Sequence, residues 1–310
     1  MSEQLPIGNG VFRRSQALAE GWADHEIRGL SRSGRIRRLG RGAYVDEDTI
    51  ESADDAGRHR LQIEALAPVL APDAAFSHQS AAVLYGLPLW STPLDRVHVT
   101  RDRAGRGRTR RAAFVHGSPL HGSVAEVDGF RVTDPARTVV DLACTLPFEA
   151  AIVAGDAALR HRALEPGHLD LELLRAAGRH GIAAARRAVS AMDGDSESVG
   201  ESRSRAFFHE QGLPIPLLQG EVRDRKGRLV GRVDFLWDEE RVIGEFDGRV
   251  KYGRLLRPGQ EPGDVVYAEK LREEALRDLG LRVVRWAWAD LSRPRMLAER
   301  IRHALTHPYR

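Results

Sequence analysis

The chain has 310 residues, 42% hydrophobic and 29% charged, with a formal net charge of +3 at pH 7; that length exceeds most single cores, so several domains are expected. A single cysteine, Cys144, excludes an intrachain disulfide and a cysteine-built zinc site. Nothing reads as a signal peptide or an 18-residue apolar span, so no membrane partner is expected and a cytoplasmic location is the default. Arg14–Glu20 reads as a short helix stopped at Gly21. Asp24 reads as the N-cap of a second helix, Asp24–Ser33, closed at Gly34. Ile27 and Leu30 lie three apart and face the core, which leaves Arg28 and Arg32 on another face. Arg35–Val45 then alternates and turns like a two-stranded wing. Residues 13–45 carry eight arginines against three acids, Glu20, Asp24 and Glu26. This is the punctuation of a winged helix-turn-helix with DNA as its partner. Arg28 and Arg32 suit base edges, while Arg35, Arg37, Arg38 and Arg41 suit phosphates.

The middle of the chain carries little chemistry of its own. His59–Leu70 has the spacing of an amphipathic helix, and Arg96–Thr100 and Ala112–His116 alternate like strands. Between those strands, residues 101–111 hold six arginines and one aspartate. Gly105 and Gly107 make this a loop, and its Arg106, Arg108 and Arg110 supply a second phosphate contact. Glu149–Leu159, His168–Ala177 and Ala183–Ala191 read as helices. His78 reads as a helix-start residue, with no nucleophile elbow or ordered acid partner. His98, His116 and His121 are spaced irregularly and fit no zinc pattern. Cys144 lies in an apolar helix and reads as buried and inert.

Several stretches of this first half resemble the AbiEi-type abortive-infection antitoxins. They are Gly10–Gly21, Gly40–Val45, Ser77-His78-Gln79-Ser80-Ala81-Ala82-Val83-Leu84-Tyr85-Gly86-Leu87, and Thr133–Ala143 with its Thr133-Asp134-Pro135-Ala136-Arg137 start. The resemblance covers about residues 8–190. It implies a DNA-binding head followed by a small α/β domain. It also implies autorepression of a type IV toxin–antitoxin operon, with a cognate toxin protein as a possible partner.

The small, acidic run Met192–Gly200 marks a boundary. Beyond it, Glu201–Glu210 reads as a helix closed by Gly212 and Pro214. Gln219–Arg223, Leu229–Trp237 and Arg241–Asp247 read as a meander, Tyr267–Leu279 as a helix ending at Gly280, and Leu281–Trp286 as a last strand. Alternation puts Val233, Phe235 and Trp237 on one face and Asp234 on the other. Val242 and Phe246 likewise oppose Glu245 and Asp247. Pairing the two runs brings Asp234 close to Glu245 and Asp247, and converging carboxylates are costly unless a cation such as Mg²⁺ holds them. Trp286 and Trp288 share a strand face, in the core or available to stack on a base.

This half resembles the PD-(D/E)XK nucleases, in particular the branch similar to very-short-patch-repair endonucleases, over roughly residues 196–300. The resemblance implies that Asp234 and Glu245 are metal ligands and that Glu201 is the acid of the first helix. The family's Lys position is occupied here by Asp247. Only three of the 47 basic residues are lysines, Lys226, Lys251 and Lys270, and all fall in this half. Lys251 or Lys270 is the candidate for the missing charge. The expected architecture is multidomain α/β. Residues 8–48 form a winged helix-turn-helix, 58–191 a small α/β domain and 196–305 an αβββαβ nuclease-like domain. The expected function is a DNA-binding protein with a Mg²⁺-dependent endonuclease-like domain, in phage defence or DNA repair. The alternative is a non-catalytic autorepressor or antitoxin whose nuclease-like domain has lost its chemistry, which Asp247 favours.

Overall fold

A computed structural model describes residues 10–103, 105, 107–110, 112–248, 271–272 and 274–307. The chain is a mixed α/β protein of two compact units, Met1–Leu146 with Pro166–Ala185, and Pro147–Glu165 with Arg186–Arg310. Among the described residues no helix is long and apolar enough to cross a membrane.

The first unit opens with β1 (Phe12–Arg13), α1 (Arg14–Ala19), α2 (Asp24–Arg32), β2 (Ile36–Gly40) and β3 (Ala43–Asp46). The strands form an antiparallel sheet of order β1-β3-β2, with Arg37 opposite Val45 and Arg38 opposite Tyr44. Phe12, Ala17, Ile27 and Ile36 are its core, with Trp22, Leu30 and Tyr44 packed against them. The helix start differs by one residue from the sequence reading. Ala23 is the N-cap, and its N–H donates to Glu26 Oε2 at 2.7 Å. Asp24 is instead drawn off by Arg14, whose Nε donates to Asp24 Oδ1 at 2.6 Å.

The unit continues through α3 (Glu47–Ser52), α4 (Asp55–Leu66), β4 (Ala74–Phe76), α5 (His78–Leu84), β5 (Val97–Arg101), β6 (Arg108–Thr109), β7 (Ala113–Gly117), β8 (Val124–Val127), β9 (Phe130–Thr133) and α6 (Pro135–Thr145). β4–β9 form one mixed sheet of order β6-β7-β5-β4-β9-β8. β5 runs parallel to β7, with Val97 opposite Ala113 and Thr100 opposite His116. Ile63, Phe76, Ala81, Leu84, Val97, Val99 and Val132 fill its core. The start of α6 is set by local side chains. Asp134 accepts the Arg137 N–H at 2.8 Å and Pro135 takes the first helical position, where a missing N–H costs nothing. α7 (Phe148–Arg160) belongs to the second unit and α8 (Pro166–Arg175) to the first, while α9 (Ile182–Val189) spans the boundary.

In the second unit α10 (Val199–Gln211) ends at Gly212, whose φ of 60° is the left-handed turn that glycine adopts at little cost. It packs on α7 through two ion pairs, one buried and one part-buried. Arg205 Nη1 meets Asp156 Oδ2 at 2.7 Å, and Arg203 Nε meets Glu149 Oε1 at 2.6 Å. β10 (Leu217–Arg223), β11 (Leu229–Trp237) and β12 (Val242–Asp247) form an antiparallel meander. β13 (Arg282–Ala287) adds in parallel to β12. Residues 271–272 and 274–278 are helical and lie between β12 and β13 in the chain. α11 (Trp288–Leu291) and α12 (Pro294–Thr306) close the unit.

One face of this sheet buries Phe235, Trp237, Val242, Phe246 and Trp286 with Phe207, Phe208, Leu297 and Ile301. The other buries Leu236 and Ile243 with Leu276 and Leu281, and Val233 joins this cluster rather than Phe235 and Trp237. The two tryptophans also part company. Trp286 is buried, stacks on Phe235 at 5.4 Å and donates its Nε1–H to Ser204 Oγ at 2.8 Å. Trp288 has left the strand and starts α11, edge-on to Phe246.

Candidate functional site

The N-terminal arginines fall into two electrostatic classes. Arg28, Arg32, Arg35 and Arg41 are exposed and form no ion pair among the described residues. Arg37 is also exposed, but its Nε donates to Glu47 Oε2 at 3.0 Å and its Nη2 pairs with the same carboxylate. Arg38 turns its Nε onto the Gly40 carbonyl at 3.0 Å. Arg14 holds the Asp24 carboxyl below its ordinary range, chiefly through their hydrogen bond. Arg28 and Arg32 sit on one side of α2, opposite the buried Ile27. Arg108 and Arg110 are exposed beside β7, whereas Arg106 lies outside the described residues.

In the second unit the β11–β12 register pairs Phe235 with Gly244, which sets Asp234 opposite Glu245. Asp234 Oδ2 accepts the Phe246 N–H at 2.9 Å. Glu245 is held at both oxygens, by Arg272 Nη2 on Oε1 at 2.6 Å and by Arg285 Nε on Oε2 at 2.8 Å. Two guanidinium groups therefore balance this carboxylate. Asp247 lies two residues on, half-buried and opposite Ala287 of β13. Glu201 is buried at the first turn of α10. It accepts from the Glu197 N–H at 2.8 Å, the Ser198 hydroxyl at 2.7 Å and Gln219 Nε2 at 2.8 Å. Its carboxylate thus ties the helix start to β10. Lys251 and Lys270 lie outside the described residues.

A third constellation is not apparent from sequence spacing. His78, His98 and His116 come together in the first unit, one ring nitrogen of each lying within 4.8 Å of the others. His121 is exposed and stands apart. Each histidine comes from a different element: the first residue of α5, the second of β5, and the fourth of β7. Because β5 and β7 are parallel, His98 and His116 are diagonal neighbours on one sheet face. His98 Nδ1 lies 3.1 Å from His116 Nε2, and the His78 ring stacks on His116 with centroids 3.8 Å apart. Burial is the largest cause lowering all three pKa values, to about 4 for His98 and His116 and well below the ordinary histidine value for His78. His98 and His116 are neutral at pH 7.

Behind His78 lies a buried charge network. Asp141 Oδ1 accepts from Arg137 Nε at 2.8 Å and also from Arg179 Nη2. Arg137 approaches Glu172 at 3.6 Å. Burial opposes ionisation of Asp141, but His78, Arg137 and Arg179 outweigh it and pull the carboxyl down to about 2. Asp141 Oδ2 is buried without a hydrogen-bond partner, 3.8 Å from His78 Nδ1. Nearby, Thr100 Oγ1 donates to Ser77 Oγ at 2.8 Å, and Tyr85 Oη donates to the Thr133 carbonyl at 3.0 Å. The segments 77–87 and 133–143, read separately in the sequence, therefore converge here.

The profile of a family described as transcriptional regulator, AbiEi antitoxin, matches residues 6–45, which include the free arginines. The crystal structure of the RV2827C protein from Mycobacterium tuberculosis is similar at a TM-score of 0.40 and 16% identity, over 69% of this chain and 84% of that one. The uncharacterized proteins Rv2248 and MT2308, from two strains of Mycobacterium tuberculosis, are each 31% identical to this chain over 223 residues. The match spans 72% of this chain and 78% of theirs, so the chain belongs to the same family as these two mycobacterial proteins.

Proposed function

We propose that this protein is a DNA-binding transcriptional regulator of the AbiEi type. Residues 8–48 act as its winged helix-turn-helix and 58–191 as the small α/β domain that follows. One observation carries the reading. The segment that matches the regulator family is also the one that presents Arg28, Arg32, Arg35 and Arg41 to solvent without ion-pair partners among the described residues. Sequence-independent affinity for DNA comes from such cations on phosphates, and sequence preference from side chains on base edges. Arg28 and Arg32, on the exposed side of α2, take the second role. Arg35 and Arg41 take the first. Footprinting of the full-length protein on DNA upstream of its own coding sequence tests this. A discrete protected site is expected, and Arg28→Ala with Arg32→Ala should erase it while leaving weak general binding. Protection unchanged in that double variant would remove α2 as the reading element. The AbiEi reading also implies a cognate toxin, which growth arrest on deletion of this gene alone would reveal.

A second reading concerns residues 196–305 as a Mg²⁺-dependent endonuclease of the PD-(D/E)XK type. It is favoured by the helix–meander–helix–strand order and by Asp234 standing opposite Glu245. Asp234 and Glu245 would hold the metal, with Asp247 and Glu201 as supporting acids. Two features weigh against it: Arg272 and Arg285 already balance Glu245, and Asp247 stands where the family has Lys. Nicking of supercoiled DNA that requires Mg²⁺ and is lost in Asp234→Asn would establish the endonuclease. No nicking by the wild-type protein would leave the regulator alone.

A further inference from the structure

We propose that His78, His98 and His116 form a binding site for a d-block divalent cation, Zn²⁺ in the first instance, in the α/β part of the first unit. Imidazole nitrogen is a preferred zinc donor, and three protein ligands with one open position is a recurrent zinc arrangement. The geometry is close to what the ion needs. Two imidazole nitrogens on one tetrahedral Zn²⁺ lie about 3.3 Å apart, given Zn–N distances of about 2.0–2.1 Å. His98 Nδ1 and His116 Nε2 are already 3.1 Å apart. The third ring nitrogen lies within 4.8 Å of both. Ligation turns the His78 ring out of its stack on His116.

The surroundings supply a second, independent reason. A zinc-bound histidine ordinarily donates its other ring N–H to a carboxylate, which fixes the tautomer and the ring's direction. Asp141 is placed for that duty. One of its oxygens is held by Arg137 and Arg179, and the other is buried without a partner, 3.8 Å from His78 Nδ1. A buried carboxylate oxygen without a hydrogen bond is costly, and a turn that moves His78 Nδ1 from Ser77 Oγ, 3.0 Å away, onto this oxygen removes that cost. His98 and His116 are half-buried rather than sealed, which leaves the ion a way in. Nearby, Arg137 and the half-buried Arg179 offset the buried Asp141 and Glu172. A bound Zn²⁺ thus keeps its full charge, and its open position favours an anion such as hydroxide.

The test uses the full-length chain, freed of metal by chelator and titrated with Zn²⁺ or Co²⁺. One equivalent of Zn²⁺ should bind, and His98→Asn and His116→Asn should each weaken it by about 100-fold or more, exceeding the 10–100-fold typical of an outer partner. Thermal unfolding of the metal-free variants separates lost ligands from lost fold. Wild-type Co²⁺ protein needs no variant, and the strong visible bands of a tetrahedral nitrogen-rich site are expected. A weak octahedral spectrum, no stoichiometric binding, or binding that survives both histidine substitutions would overturn the proposal. So would binding lost in Asp234→Asn but kept in His98→Asn, which would assign the ion to the carboxylates of the second unit. None of these results depends on DNA recognition.

Discussion

If the N-terminal face contacts phosphates, its arginines should not count equally, and the ion pair between Arg37 and Glu47 makes the difference measurable. Each phosphate neutralised on B-form DNA contributes about 0.9 to the slope of log affinity against log salt. Arg35 and Arg41 are exposed without ion-pair partners among the described residues. Replacing both by Ala should flatten the slope by about 1.8 units. Between 50 and 200 mM salt the double variant should then lose affinity about 12-fold less than the wild type. Arg37→Ala should change the slope by less than about 0.9, because Glu47 already balances this guanidinium. Glu47→Gln should do the reverse: it frees Arg37, raises affinity at low salt and steepens the slope by up to about 0.9. Fluorescence anisotropy of full-length variants on one labelled duplex, at three salt concentrations, measures all four. If Arg37→Ala flattens the slope as much as each of its free neighbours, and Glu47→Gln leaves it unchanged, the ion pair does not gate this contact and the reasoning is wrong.

Two further outcomes follow from buried charge. The histidine cluster makes the metal-free first unit acid-sensitive. His98 and His116 are held down to about 4 when folded and return to about 6.5 when unfolded, so the unfolded chain binds more protons between those values. Stability is therefore complete above about pH 6.5 and falls as pH drops towards 4, by about 1–2 kcal/mol per pH unit after allowing for partial exposure. Urea titrations at pH 7, 6 and 5 should show this fall, and it should shrink when both residues are Asn, the share of the buried His78 remaining. In the second unit, Arg205→Ala leaves the buried Asp156 without its guanidinium partner. A loss of about 3–5 kcal/mol is expected, and a loss under about 1 kcal/mol by chemical denaturation would show that Asp156 protonates there at little cost.

The same contrasts show what a sequence carries and what it withholds. α2 and the β2–β3 ribbon are legible because the signals are local: Ile27 and Leu30 at helical spacing, glycines at the turns, alternation through Ile36 and Val45. The helix–meander–helix–strand order of the second unit is legible for the same reason, down to Gly212 and Gly280 at the ends of its helices. What escapes is pairing over distance. Nothing near Arg37 says that Glu47 will fold back across the ribbon to meet it. Nothing near Asp156 says that Arg205 will bury against it, which groups α7 with the second unit although the composition break falls at 192–200. Glu201 reads as the acid of the first helix by resemblance, and its first-turn position lets it bond the helix start and Gln219.

The histidines are the sharpest case. Zinc spacings that can be read from sequence come from ligands on one turn or one hairpin. His78, His98 and His116 come instead from a helix start and two strands joined in parallel, so their proximity depends on a crossover and on the register that sets Thr100 opposite His116. One local signal was present. His98 sits between Val97 and Val99, and His116 follows Val115, so each places a polar ring on the strand face opposite its apolar neighbours. Two such histidines on adjacent strands of one sheet meet when the register sets them directly opposite or two residues apart, whichever way the chain crosses between them. Sequence can therefore nominate such a pair once strand adjacency is known. Only the fold can supply the third ligand and the carboxylate behind it.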